Sequence, residues 1–211
     1  MQALDFRGQP AAAREALQQM AHDSPGGAAP PRARLRLAEV DLHEQRLDAA
    51  ASRLDALIAE GIGAASDQVQ AKALRAEVAL RQGDTADATR RANETLAELA
   101  ARGLRWLPGV EPGLQLVLGE ARCAQDPGED AARPMRAAVQ ALQQLQHPDS
   151  PALAAARARL GLCLWHLGQR DEAAQLARQA DAALRAHAAL NADFRRPLQS
   201  LQVKLGAAPR S

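Results

Sequence analysis

The stretch from Pro151 to His187 constrains the fold most, because its apolar residues repeat with a helical period on both sides of one glycine. Leucines recur at helical spacing before Gly168, and alanines and leucines do the same after it. The residues before the glycine are Leu153, Leu160, Leu164 and Leu167, and those after it are Ala173, Leu176, Ala177, Ala180 and Leu184. This pattern predicts two amphipathic helices that pair antiparallel across a tight turn at Gly168.

Composition extends the prediction to the whole chain. Ala, Leu, Arg and Gln dominate the 211 residues and favour helices, whereas aromatic residues make up 2% and tyrosine is absent. Sandwiches and barrels need β-branched and aromatic residues in their strands, so we predict an all-α fold. Lys+Arg 26 and Asp+Glu 25 nearly cancel, which disfavours binding to nucleic acid or to an anionic membrane through net charge.

Turn residues divide the chain into similar pairs of helices. Equivalent turn positions fall at Gly8, Gln45, Gly83, Pro127 and Gly168, in steps of 37, 38, 44 and 41 residues. The predicted hairpins cover residues 1–22, 32–60, 66–102, 114–146 and 151–188, and a last helix, split at Pro197, covers residues 191–205. We therefore interpret residues 1–211 as one helical-repeat domain of about four and a half hairpins.

Two side chains are predicted to cap helices. Asp84 precedes the second helix of the third hairpin, and Ser150 precedes Pro151 at the start of the fifth. Residues 104–113, which carry Trp106 and are rich in proline and glycine, are predicted to form a loop.

The order Leu160-Gly161-x-x-Leu164, then Gly168, then Ala173-x-x-x-Ala177 resembles the tetratricopeptide repeat (TPR), a helical hairpin of about 34 residues. This chain departs from the family where Arg157 stands at a position that often holds Trp, and where Leu164 and Ala177 replace aromatic residues. The last two steps, with residues 129–135 and 147–149 opening helices, resemble the longer kinesin-light-chain type of repeat. The resemblance implies a right-handed superhelical solenoid with a C-terminal capping helix.

The resemblance also implies a function. In this family the first helix of each hairpin lines a concave groove, which implies a non-catalytic scaffold for a peptide or protein partner. Carried over to this chain, the groove residues are Leu35, Glu39, His43, Glu77, Leu80, Arg81, Leu162, Trp165 and His166. Such repeats are common in C-terminal regions of bacterial signalling proteins such as serine/threonine kinases. The alternative is the effector-sensing domain of a transcriptional regulator, which binds a small ligand inside the superhelix. For Trp165, packing in the core is an equally open interpretation.

The sequence offers no constellation for catalysis. A G-x-S-x-G elbow, a Gly-rich phosphate loop and an H-E-x-x-H motif are all absent. His147, Asp149 and Ser150 are close in sequence, but neighbouring residues in a helix cap point in different directions. We therefore predict no enzyme activity, no cofactor and no metal site.

The cysteines, the chain start and the hydropathy complete the prediction. Cys123 and Cys163 lie far apart, each in an apolar helical stretch, and are predicted to be buried free thiols. The pattern starts halfway through a hairpin, which predicts a fragment of a larger protein with Leu17 and Met20 poorly covered and self-association through that half hairpin. Without a signal-peptide pattern or a membrane-spanning apolar run, the protein is predicted to be cytoplasmic.

Overall fold

The computed structural model describes residues 10–22, 30–104, 107–187 and 189–206. Within these residues every regular element is a helix, as the composition predicted. The ten helices are α1 (Pro10–His22), α2 (Pro31–His43), α3 (Leu47–Glu60), α4 (Ala65–Arg81), α5 (Thr85–Ala101), α6 (Val110–Gln125), α7 (Glu129–Leu145), α8 (Pro151–His166), α9 (Arg170–Arg185) and α10 (Ala192–Gly206). The predicted turn at Gly8 and the side chain of Trp106 lie outside the described residues.

The chain divides into two compact units, Met1–Val110 and Glu111–Ser211. In the first unit, α2 pairs with α3, α4 pairs with α5, and α1 packs against α2. In the second unit, α8 pairs with α9, while α7 and α10 also pack against α8. Each unit is thus a layered set of helix hairpins.

The core of the first unit is apolar and built by successive helices. One cluster joins α2, α3 and α4 through Leu35, Ala38, Leu42, Ala50, Leu54, Leu57, Ala71 and Val78. A smaller cluster joins α1 to α2 and contains Leu17, Ala33, Leu37 and Val40. Leu17 is only 2% exposed, so the prediction that it lacks cover is wrong, because α2 lies against it. Met20 is 47% exposed, in line with the prediction.

The core of the second unit draws on all five of its helices. Its largest fully buried side chains include Leu114 of α6, Met135 of α7, Leu153 and Leu164 of α8, Leu184 of α9 and Leu201 of α10. Gly161 allows close approach here, because a Cβ at that position would lie 2.5 Å from Leu201 Cδ2 and 3.5 Å from the Ala173 backbone oxygen. The small residue therefore lets α8 approach both α9 and α10.

Both predicted N-cap residues stand at the starts of their helices, but only one of them makes a capping hydrogen bond with its side chain. The Asp84 carboxylate accepts a hydrogen bond from the Asp87 backbone N–H at 2.9 Å, which confirms the N-cap of α5. Ser150 precedes α8, but its hydroxyl donates to the Gln146 side chain and makes no capping bond. Ser150 is thus the N-cap residue by position, as predicted, while its hydroxyl turns back to the residue that follows α7.

Pro112, Pro134 and Pro197 lie inside helices without ending them. Pro112 lies in the first turn of α6, so α6 begins at Val110 rather than at the predicted Leu114. Pro197 lies inside α10, which is continuous, and the prediction of a split there is wrong. Pro197 lacks only the bond to the Asp193 carbonyl, close to the helix start, and Pro134 lies in the same part of α7.

Candidate functional site

Three turns between paired helices share one backbone conformation. Gln45, Gly83 and Gly168 all have a left-handed backbone, with φ of 61°, 84° and 80°. Each donates its backbone N–H to the carbonyl three residues earlier, at 3.0 to 3.1 Å. The following N–H groups, of Arg46, Asp84 and Gln169, donate to the carbonyls of Asp41, Ala79 and Leu164 at 2.8, 3.0 and 2.9 Å.

By this shared geometry, the ends of α2, α4 and α8 correspond to one another in position relative to their own turns. Because the turns match bond for bond, His43, Arg81 and His166 occupy the same place relative to their turns. Leu80 and Trp165 likewise match each other, one residue earlier. The turn between α6 and α7 differs, since Gly128 has an extended backbone with φ of −149°.

In the first unit, three of the predicted groove residues are charged and form ion pairs within their own helices. Arg81 Nε donates to Glu77 Oε1 at 2.9 Å on α4, and Arg36 pairs with Glu39 on α2. Glu39, Glu77 and Arg81 are partly buried, with 15 to 25% of each side chain exposed. His43 and Leu80 are also partly buried. The surface is therefore a row of half-desolvated charges of both signs.

Leu35 has a different environment from the other predicted groove residues. It is 0% exposed and packs in the core cluster with Leu54 and Val78. In this conformation it offers no atom to a partner, so Leu35 is a core residue and is left out of the surface considered below.

In the second unit, Trp165 lies between the core and the surface. Its ring and Leu162 are partly buried and pack against the core cluster. Lys204 Nζ of α10 lies 4.8 Å from the ring centroid, a cation–π contact, and the His166 ring meets the indole edge-on at 5.0 Å. The indole N–H is buried, and none of the described residues accepts a hydrogen bond from it. One face of Trp165 is thus covered by the chain's own last helix.

His166 is exposed beside this cluster, but its pKa is lowered from the ordinary value of 6.5. Burial against its neighbours disfavours the imidazolium, and the positive charge of Lys204 disfavours it further. His166 therefore stays neutral at neutral pH and contributes a hydrogen-bonding ring rather than a charge.

Sequence reasoning missed a covalent link. Cys123 and Cys163 form a disulfide with their Cα atoms 5.9 Å apart, so the prediction of free thiols is wrong. The packing of α6 beside α8 brings the two residues together. A signal was present in the sequence, because their separation of 40 residues is nearly the 41-residue repeat step at that point.

A buried aspartate was also missed. Asp41 of α2 is 1% exposed and accepts from three arginines on three segments. Arg14 of α1 donates at 2.6 Å, Arg46 of the following turn at 2.9 Å and Arg53 of α3 at 2.8 Å. Arg14 also reaches Glu44 at 2.7 Å. The cluster therefore ties α1, α2 and α3 together.

Other classes of site were sought among the described residues. They contain no group of three His, Cys, Asp or Glu side chains arranged to hold a metal ion. In the same part of the chain, no helix has the length and apolar character needed to cross a membrane.

Comparisons with known proteins place the fold. No protein-family model and no curated protein matches the chain. Its structure is similar to two crystal structures of the nearly identical TPR-like repeats of a kinesin-light-chain-like protein from Podosopora anserina. One of the two carries a Gln-to-Met substitution. The variant has a TM-score of 0.55 at 19% identity, with 92% of each chain covered. The other form has a TM-score of 0.53 at 18% identity, with 89% of this chain and 93% of that chain covered. The chain therefore has the fold of TPR-like repeats of the kinesin-light-chain type.

Proposed function

We propose that this protein is a scaffold that binds a peptide or protein partner along the ends of the first helices of its hairpins. The observation that carries the proposal is the common turn geometry, which repeats one side-chain position in successive hairpins. In the first unit this position holds His43 and then Arg81. A chain lying across α2 and α4 would therefore meet hydrogen-bonding groups at the repeat spacing.

The charges of this surface define the partner. Glu39 and Glu77 are opposed by Arg36 and Arg81, so the surface has both signs and little net charge. Such a surface suits a peptide whose own side chains alternate in sign, or whose backbone groups bond to the row. A uniformly charged polymer such as nucleic acid is disfavoured, because it would be repelled by half of the groups it met.

The second unit adds an aromatic contact. Trp165 corresponds in position to Leu80, and both are partly buried near the ends of first helices. Tryptophan is among the residues that contribute most to interfaces, because its large ring loses much water-exposed area on binding. We therefore assign to Trp165, with Leu162 and His166 beside it, an apolar binding surface of the second unit.

Two finer predictions stay open beside this proposal. One is that the parent protein is a bacterial signalling protein, with the scaffold in its C-terminal region. The other is the alternative function, in which the chain is the effector-sensing domain of a transcriptional regulator and binds a small ligand instead of a peptide. The purified chain can be tested with peptides and with small molecules separately, so the experiment below distinguishes the scaffold from the effector sensor.

Selection from a displayed library of random peptides tests the proposal. Clones that bind the wild-type chain are expected to lose at least about tenfold in affinity for Arg81→Glu or for Trp165→Ala, since each substitution alters the binding surface of its own unit. The matched controls are Arg102→Glu, a 53% exposed arginine at the end of α5, and Leu145→Ala, a 55% exposed leucine at the end of α7. Both controls are expected to bind as the wild type does.

The result has clear alternatives. If substitution of Arg81 or Trp165 leaves the affinity of the selected peptides unchanged while substitution of Arg102 or Leu145 lowers it, the binding surface lies on the second helices. Unfolding of Trp165→Ala, detected by circular dichroism, would make Trp165 a core residue and remove it from the surface. A chain that selects no peptide, but is stabilised against heat by a small-molecule library, would support the effector sensor instead.

A further inference from the structure

The disulfide joins the first helices of two successive hairpins. Cys123 lies in the last turn of α6 and Cys163 in the last turn of α8, within one repeat step of each other. Their Cα separation of 5.9 Å lies within the range of roughly 4.4 to 6.8 Å that disulfides have. The bridge therefore fastens α6 to α8 at the end of each helix that faces a turn.

Both cysteines belong to the core. Cys123 is 8% exposed, Cys163 is 3% exposed, and both contribute to the cluster formed by α6 to α10. By the turn alignment, Cys163 corresponds to Val78 in the first unit, which is buried without any covalent link. The position shared by Val78 and Cys163 therefore requires only a small apolar side chain, and the disulfide is a feature of the second unit alone among these two.

A second contact reinforces the bridge one turn away. Arg159 of α8 donates to Glu120 of α6 in a bidentate pair, with Nη2 to Oε2 at 3.0 Å. Glu120 precedes Cys123 by three residues, and Arg159 precedes Cys163 by four. A covalent bond and an ion pair thus act on neighbouring turns of the same two helices.

The bridge also lies beside the surface assigned to partner binding. Trp165 and His166 follow Cys163 by two and three residues, in the same last turn of α8. The indole ring of Trp165 contacts Lys204 of α10. The bridge therefore lies within three residues of the side chains that form the Trp165 surface.

We propose that the Cys123–Cys163 bridge is a redox-dependent clasp that holds the Trp165 end of α8 in place. The role of the clasp in binding rests on the proposed function, whereas the clasp itself does not. A dithiol reductant opens it by thiol–disulfide exchange. One thiolate attacks a bridge sulfur, the S–S bond breaks, and the second thiol closes the reductant's own disulfide. The two electrons and two protons of the dithiol end on Cys123 and Cys163.

With this clasp, the Trp165 surface has one state in an oxidising compartment and another in a reducing compartment. Disulfides persist where thiols are oxidised, as in secreted and periplasmic proteins, and are lost in a reducing cytosol. The structure with the bridge in place is thus the form expected in an oxidising compartment. In a reducing compartment the same chain has a looser end of α8.

Hydrogen exchange on the wild-type chain tests the clasp without a partner. Thiol titration of the protein, purified without reductant and then unfolded, is expected to find no free thiol. After treatment with dithiothreitol it is expected to find two free thiols. In the reduced form, amides at the ends of α6 and α8 should exchange on the order of tenfold faster. The matching ends of α2 and α4 in the first unit serve as an internal control and should not change. A Cys123→Ala, Cys163→Ala double variant should exchange like the reduced form and ignore the dithiol.

Two results would overturn the proposal: free thiols in the air-purified protein, or equal exchange in the oxidised and reduced forms. A peptide that depends on Trp165 adds the functional arm. It should bind the reduced chain several-fold more weakly, and equal affinity for the two forms would refute the link to binding. Failure of the proposed function would look different, since no peptide would then depend on Trp165 although the exchange difference remained.

Discussion

Gln45 has a backbone conformation that the matching turns give to glycine. Its φ of 61° costs a residue with a side chain about 1 kcal/mol, while a glycine there would lose more freedom on folding. We expect Gln45→Gly to raise the free energy of unfolding by about 0.5 kcal/mol. Gly83→Ala should lower it by about 0.5 kcal/mol by the reverse of the same balance, since a Cβ there meets no atom within 4 Å and only the backbone is strained.

Urea unfolding of the two variants measures both changes. The opposite signs are the test, because the variants exchange a side chain for glycine in opposite directions at matching positions. Destabilisation by Gln45→Gly would mean that the Gln45 side chain, which donates to the Leu42 carbonyl at 3.3 Å, outweighs the backbone cost.

His166 allows a prediction about pH. Because its folded pKa is lowered from 6.5, the native state binds fewer protons than the unfolded state between the two pKa values. The contribution of His166 to stability is therefore complete above about pH 6.5 and declines as the pH falls through the folded pKa. An NMR titration of the His166 ring should show a midpoint below that of a histidine in a short peptide. Lys204→Gln should raise that midpoint partway, since burial remains; an unchanged midpoint would exclude the charge of Lys204 as a cause.

At the scale of the helices, periodicity was enough to predict where they lie, but not which face each one buries. Leu35 and Glu39 stand one helical turn apart, on the same stripe of α2, yet one is buried and the other is partly exposed. The difference depends on how α3 and α4 pack against α2, which spacing along one helix does not contain. The bond between Cys123 and Cys163 was missed for the same reason, because it depends on the packing of α6 beside α8.

Two glycines in the second unit have different neighbours and should respond differently to substitution. A Cβ at Gly119 of α6 would lie 2.1 Å from Met135 Cγ and 2.8 Å from the Ala131 backbone oxygen of α7. A Cβ at Gly161 would press mainly on the end of the Leu201 side chain and would stay 3.5 Å from the Ala173 backbone oxygen. Alanine favours a helix over glycine by about 1 kcal/mol, which offsets the small strain at Gly161 but not the clash with backbone at Gly119.

We therefore expect Gly161→Ala to be close to neutral and Gly119→Ala to cost about 1–3 kcal/mol in unfolding free energy. Gly161→Leu, which must displace α9 or α10, should also cost about 1–3 kcal/mol. Thermal and urea unfolding of the three variants give the order. Equal stability of Gly119→Ala and Gly161→Ala would contradict the close packing of α6 on α7.

The buried Asp41 makes the attachment of α1 sensitive to one charge. Asp41→Asn removes the carboxylate that three arginines share, and the arginines keep partial access to water. We expect a loss of about 2 kcal/mol, smaller than for a fully buried pair, with amide protection in α1 reduced most. Glu44→Gln is the matched control. It removes a charge that is 20% exposed and that also contacts Arg14, and it should cost less than 1 kcal/mol. Unchanged exchange in α1 of Asp41→Asn would show that the cluster around Leu17 alone holds this helix.

At the scale of the whole molecule, the chain divides into two compact units. The large cluster of the second unit draws on α6 to α10 and includes the disulfide. A fragment of Glu111–Ser211 is therefore expected to fold by itself, with a helical circular dichroism spectrum and a cooperative melt. A shorter fragment of residues 129–211 lacks α6 and Cys123 and should melt at a lower temperature. An unfolded Glu111–Ser211 fragment would show that its core needs the first unit.

The matched turns at Gln45 and Gly83 have a consequence for how such a chain changes its length. Residues 46–83 begin just after one turn position and end on the next, so this segment amounts to one whole repeat. A gene duplication or deletion with both breakpoints at these positions would join α2 to α5 through the same left-handed turn and the same pair of hydrogen bonds. Insertion of a repeat at these turn positions adds one hairpin and leaves the other turns between helices unchanged. The turns are thus the places where this chain can grow or shrink by recombination without a change of fold.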